Sequence, residues 1–205
     1  MEEKPPFNPL DKANLGRAIV EALLGSKPRA LSDVAEFQGA GIYAIYYHGR
    51  FPAYRALAAL NQPDPTWPIY VGKAVPRGGR KGGEMDASIE SNALCERLRK
   101  HKASIDLVES LSMRDFTFRS LVVDDVWISL GETLVIQRFQ PLWNHVVEGF
   151  GNNDPGSKRY AGKRPLWDEL HPGRPWARRC TPPKHDRDAI LNMVSDYMKH
   201  VLGRE

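Results

Sequence analysis

The chain has 205 residues, 41% of them hydrophobic and 26% charged, with a formal net charge of +4. That balance excludes a collagenous, low-complexity or disordered chain and fits one globular domain long enough to bury a core. No run of 18 or more apolar residues occurs, and Met1-Glu2-Glu3-Lys4-Pro5 lacks the basic-then-apolar shape of a secretory signal, so a cytoplasmic location is expected.

From Asn8-Pro9 to Leu24, the residues Leu15, Ala18, Ile19, Ala22 and Leu23 recur at helical spacing, and Gly25 supplies a stop. A core-packing helix is predicted there. Gly41-Ile42-Tyr43 opens a strand that continues through Ala44-Ile45-Tyr46-Tyr47, rich in β-branched and aromatic residues. Pro52 to Gln62 reads as a short helix, which Pro63-Asp64-Pro65 breaks ahead of a second strand at Ile69-Tyr70-Val71-Gly72-Lys73. Paired strands lie roughly 5 Å apart. If the insert folds back, the phenols of Tyr43 and Tyr70 therefore reach a common point, and two neighbouring phenols suit proton handling.

Ala74 to Asp86 carries Gly78, Gly79, Gly82 and Gly83, the mark of a loop. Lys73, Arg77, Arg80 and Lys81 follow one another with no acid between them, which suits phosphate contacts or, equally, a solvated basic loop. Ser91 to Ile105 is predicted as a helix with Leu94, Leu98 and Ile105 on its apolar side and Arg97 and His101 four apart on another face. Cys95 on this helix and Cys180 lie far apart and outside any Cys-x-x-Cys pattern, so reduced thiols are expected, with no disulfide framework or zinc site.

Phe116 to Val123 is a third strand by composition, and Asp124-Asp125 opens a helix running to about Phe139, before Pro141. Glu132 shares a face of this helix with Val135, Ile136 and Phe139. A carboxylate on an apolar stripe calls for a cation, hydrogen bonds or a metal, and an ion pair with Arg97 is the plainest choice. Gln140-Pro141-Leu142-Trp143-Asn144 closes the unit, and Gly149-Phe150-Gly151-Asn152-Asn153-Asp154-Pro155-Gly156 reads as a loop. Lys158 to Lys184 is proline-broken and carries Trp167 and Trp176; from Phe150 to Arg187 nine Lys and Arg face four acids, so the basic surplus is local. From Asp188 the residues Ile190, Met193, Val194, Tyr197, Met198 and Val201 have helical spacing, for a helix that packs on the body or on a second copy.

The ordered set Gly41-Ile42-Tyr43, Tyr70-Val71-Gly72, Arg97, Glu132 and Asn144 resembles the signature series of the GIY-YIG nuclease superfamily, with Val71 where the family name has Ile. Lys73 directly after the second motif and His101 four after the arginine are similar to residues of the type II restriction endonuclease branch, in particular the subgroup cutting CCGCGG. The resemblance implies an α+β fold, a small central antiparallel sheet of about three strands flanked by helices. Its nuclease core would span residues 38–147 of a single domain, with a helical extension over 1–37 and a basic extension over 148–205 for DNA recognition or dimerisation.

It also implies metal-dependent hydrolysis of duplex DNA at a short GC-rich palindrome. Tyr43 is the expected general base, helped toward its charged form by Lys73, with Tyr70 and His101 orienting the water or relaying its proton. Arg97 offers a planar fork for phosphate oxygens, Glu132 would ligate Mg²⁺ or another divalent cation such as Mn²⁺, and Asn144 would steady the site or its backbone. Arg77, Arg80, Lys81, Lys158 and Arg159 are candidate DNA contacts. A homodimer and a cognate DNA methyltransferase in the host are the implied partners, with no membrane. A nicking, repair or homing-type nuclease of the same superfamily, or a non-catalytic DNA-binding protein of this fold, stays open from sequence.

Overall fold

The computed structural model describes residues 11–76 and 88–202. The predicted contacts Arg77, Arg80 and Lys81, most of the glycine-rich basic segment, and Phe7-Asn8-Pro9-Leu10 lie outside those residues. Four strands, β1 (Arg29–Ala30), β2 (Gly41–Tyr47), β3 (Tyr70–Ala74) and β4 (Phe116–Val122), form one sheet in the order β1-β4-β2-β3, with antiparallel pairing throughout. The three strands expected from sequence are its body. The two residues of β1 add a short edge beside β4 that carries no pattern of its own.

The helices are α1 (Lys12–Gly25), α2 (Arg55–Leu60), α3 (Ala93–Asp106), α4 (Asp125–Phe139), α5 (Leu142–His145), α6 (Leu166–Leu170) and α7 (Arg187–Leu202). Asp11 caps α1 by accepting from the Ala13 N–H at 2.7 Å. The helix expected over Pro52–Gln62 splits into a 3₁₀ turn at Pro52–Tyr54 and the shorter α2. Helix α4 ends at Gln140, whose left-handed backbone (φ 45°) turns the chain into Pro141.

Every residue of β2 is buried, because helices cover both faces of the sheet. The two-residue period divides the strand. Tyr43, Ile45 and Tyr47 point into a cluster with Leu94, Leu98 and Ile105 of α3, with Trp143, Phe150 and Trp167, and with Ile190, Val194 and Met198 of α7. Ile42, Ala44 and Tyr46 point the other way, against Leu23 of α1 and Ile128, Val135 and Phe139 of α4. Of the two places expected for the terminal helix, the apolar stripe of α7 takes the body of its own chain.

Arg119 ties the insert to the sheet. Buried on β4, it donates to the carbonyls of Ser26 and Pro65 and to the carboxylate of Asp64. Asp64 is two-thirds exposed, so the ion pair itself contributes little, whereas the buried bond to the Pro65 carbonyl leaves that group unpaired if the guanidinium goes. Arg119→Met should therefore cost about 2–4 kcal/mol in urea unfolding, and Asp64→Asn no more than about 0.5 kcal/mol. Equal losses in the two variants would show that the ion pair, and not the carbonyls, does the stabilising.

Candidate active site

The edge strand β3 builds the site. Tyr43 stands opposite Gly72 in the β2–β3 register, and its phenol lies over that glycine: a Cβ on Gly72 would come within 2.4 Å of the Tyr43 Oη. The glycine of the second motif is thus required by a close approach. Tyr70, two residues earlier on the same face, brings its ring centroid to 6.3 Å from that of Tyr43. Helix α3 supplies His101, whose Nε2 is 2.6 Å from the Tyr43 Oη, and Arg97 one turn earlier.

Burial pushes the Tyr43 phenol well above its ordinary 10, the neighbouring Tyr70 adds to the rise, and the Arg97 charge opposes it. Tyr70 is raised by burial in the same way and again restrained by Arg97. Burial holds the His101 imidazole well below 6.5, and the charges of Arg97, Arg174 and Lys100 press in the same direction. At neutral pH the pair is therefore a neutral phenol against a neutral imidazole. The 2.6 Å contact suits the Tyr43 hydroxyl donating to Nε2.

Lys73 does not take the place expected beside Tyr43. Three positions after Tyr70, it points to the opposite face of the sheet and pairs with Glu132 of α4 at 2.8 Å, with Ser129 Oγ 3.3 Å away. The cation that lowers the phenol is Arg97, and the ion-pair partner of Glu132 is Lys73 instead of Arg97. Glu132 still belongs to the site electrostatically, since its charge raises both tyrosines. Its side chain is 20% exposed, so solvent reaches it. An open cleft of about 290 Å³ at this edge is lined by Lys73, Ala74, Val75, Ala93, Glu96, Arg97 and Lys100.

Asn144 works on the backbone. Its Oδ1 accepts from the Val71 N–H at 2.9 Å and its Nδ2 donates to the Val71 carbonyl at 2.9 Å, filling the outward bonding positions of an edge strand. The Trp143 N–H continues the seal by donating to the Ile69 carbonyl at 2.9 Å.

Two contributors were missed by sequence reasoning, because they lie in the segment read as a plain loop. Phe150 stacks on His101 with centroids 4.5 Å apart and meets Tyr70 edge-on at 5.1 Å. The Gly151 carbonyl accepts from Arg97 Nη2 at 2.8 Å, and a Cβ on Gly151 would come within 2.4 Å of the Tyr70 Oη. The only sequence signal was a pair of glycines around an aromatic.

A family model described as the Eco29kI GIY-YIG domain matches residues 35–198. The chain belongs to the Eco29kI GIY-YIG family. A search of curated proteins finds no match. As a member of this restriction endonuclease family the protein is a nuclease, a hydrolase whose substrate is DNA. The matched span takes in both tyrosine motifs, Arg97, His101, Glu132 and Asn144, and runs on through Phe150, Gly151, Asp168 and Arg174. Among the described residues no helix is long and apolar enough to cross a membrane.

The two buried imidazoles of this Eco29kI-family chain give a pH prediction. His101 lies well below 6.5 and His171 is held at about 3, both by burial, whereas in the unfolded chain each titrates near ~6.5. The unfolded state then binds more protons as pH falls, so the stability is fully present above pH ~6.5 and is lost as pH drops from there toward the folded values. Each ring should remove about 1.4 kcal/mol per pH unit in that window. His48, half-buried, is also held below 6.5 by burial and adds to the same window. Urea unfolding at pH 7.5 and 5.5 measures the sum, and His101→Asn should shrink the difference; a variant with the wild-type pH slope would show that His101 is charged in the fold.

Proposed function

We propose that this chain is a type II restriction endonuclease that cuts both strands of duplex DNA at a short GC-rich palindrome, of the CCGCGG kind. The observation that carries this reading is the 2.6 Å contact between the Tyr43 hydroxyl and His101, set beside Tyr70 and behind Arg97, which lines an open cleft at the edge of β3. In hydrolysis a water attacks phosphorus and must shed a proton. Tyr43 accepts that proton as it passes its own to the neutral Nε2 of His101, so no free phenolate has to form in a buried site. Tyr70, close to both rings, orients the water. Arg97, with Nη2 anchored on Gly151, turns the rest of its fork to the phosphoryl oxygens as charge grows there.

Glu132 is the residue that would hold a divalent cation. Among the described residues no group of three or more His, Cys, Asp or Glu is placed to hold a metal. A single carboxylate with solvent and phosphate oxygens is a donor set that suits Mg²⁺ or Mn²⁺, and the Lys73 ammonium that pairs with Oε2 would give up that oxygen to the ion. When bound, the ion supplies charge neutralisation at the phosphate. Lys73 then faces the incoming DNA, and Asn144 keeps β3 in place through Val71.

DNA contacts fall to the cations that the fold leaves exposed. Arg164 is committed to Glu169 and the Ala177 carbonyl, Arg174 is buried, and Arg187 bonds the Leu170 carbonyl. Lys158, Arg159, Lys163, Arg178 and Lys184 are exposed, and Arg159 and Lys163 line a cavity of about 410 Å³ with Asn152 and Trp176. We assign phosphate and guanine contacts to this surface of the 148–205 extension. Cutting a palindrome on both strands calls for a two-fold dimer, and a host carrying such an activity in its cytoplasm needs a methyltransferase to shield its own sites.

Glu132→Gln should abolish metal-dependent cleavage of plasmid DNA, and Tyr43→Phe should slow single-turnover cleavage by about 10²–10⁴-fold, both with DNA binding intact. Sequencing the ends produced by wild-type protein with Mg²⁺ reads the site and the stagger directly. Near-normal turnover in either variant removes the role assigned to that residue, and persistent nicks on a one-site duplex would replace restriction by a nicking activity.

A further inference from the structure

Arg174 is 2% exposed and lies far from the signature motifs in sequence. A guanidinium has five N–H donors in a fixed fork. Here Nε donates to Asp168 Oδ1 at 2.6 Å and Nη2 to Asp168 Oδ2 and to the Gly149 carbonyl at 2.9 Å. Nη1 donates to the carbonyls of Phe150 and Asn152, each at 3.1 Å. All five donors are used. The rings of Trp167 and Trp176 lie 4.7 Å from the guanidinium carbon. The three carbonyls belong to the four-residue stretch 149–152, and the same stretch supplies the ring stacked on His101 and the carbonyl that holds Arg97.

We propose that Arg174 is a positioning residue of the nuclease site: paired with Asp168, it locks residues 149–152 so that Phe150 fixes the His101 ring and the Gly151 carbonyl fixes the Arg97 fork. This rests on the function proposed above for those two side chains. The clamp acts through backbone carbonyls, so it is blind to the side chain at 152 but demanding of its own geometry. Lysine, with three donors on one point, cannot span three carbonyls and a carboxylate at once. The penalty falls on the chemistry more than on the affinity for DNA, because the groups released act at the reacting phosphate and a misplacement of about an ångström there costs roughly 10²-fold in rate.

The test uses the full chain and three proteins: wild type, Arg174→Lys, and the paired variant Asp168→Leu with Arg174→Met. The pair removes both buried charges together and so avoids stranding one of them if the single variant does not fold. Hydrogen exchange read by mass spectrometry should show residues 149–152 exchanging at least about tenfold faster in both variants while α3 keeps its protection. Single-turnover cleavage at saturating protein should fall about 10–100-fold, with affinity for the same duplex in Ca²⁺ within about threefold of wild type. Unchanged exchange at 149–152 in the paired variant, or a freed segment with wild-type cleavage, overturns the proposal. A wild-type protein that cuts no duplex with Mg²⁺ or Mn²⁺ sinks the nuclease reading instead, and the clamp then stands or falls on exchange alone.

Discussion

The site hangs on the register of one edge strand against its neighbour. With Gly72 opposite Tyr43, the phenol passes over the edge and reaches His101, and the two-residue period then fixes the remaining placements. Tyr70 shares the face of Tyr43, and Lys73 is sent to the other side to meet Glu132. A slip of one residue would exchange those faces, burying the ammonium among aromatic rings and turning Tyr70 toward α4. An edge strand has no second neighbour to enforce its register. Asn144 and the Trp143 N–H fill that place by taking the outward polar groups of Ile69 and Val71, so α5 serves as the missing strand.

The same geometry sets the protonation states. Two phenols and an imidazole are packed together out of water, and desolvation keeps each of them neutral. Among the described residues Arg97 is the cation whose charge bears on all three, opposing the rise of the phenols and disfavouring a proton on the ring. Placing that charge is delicate: closer to the phenols it would favour a phenolate, and closer to the imidazole it would weaken the acceptor. The Gly151 carbonyl, at 2.8 Å from Nη2, helps to settle that position.

What sequence made legible follows from these constraints. The strands and their tyrosines were readable because β-branched and aromatic runs between glycines have few other folds, and α3 and α4 were readable from their apolar stripes. Arg97, His101 and Glu132 came with the spacing of a known signature. Their partners were not readable. Lys73 was expected beside Tyr43 from its resemblance to the lysine that follows the second motif in the restriction branch, and the strand period put it on the opposite face. For Glu132 an ion pair with Arg97 was one choice beside a metal, and from sequence nothing favoured Lys73, the cation it meets. Residues 149–152 looked like an ordinary loop because their role rests on backbone carbonyls and on one ring stacked across the fold. Arg174 looked like one basic residue among nine, since nothing local says which arginine will be buried.

The segment beyond residue 147 therefore does more than carry charge. Trp143, Phe150, Trp167 and the stripe of α7 share one apolar cluster with Tyr43, so the Tyr43–His101 contact sits against the larger of the two clusters among the described residues. A core packed that tightly transmits small shifts instead of absorbing them. That is how a guanidinium with no contact to either tyrosine motif reaches them: its five hydrogen bonds hold the 149–152 loop, and the loop carries the ring stacked on His101 and the carbonyl bonded to Arg97, beside the cleft at β3.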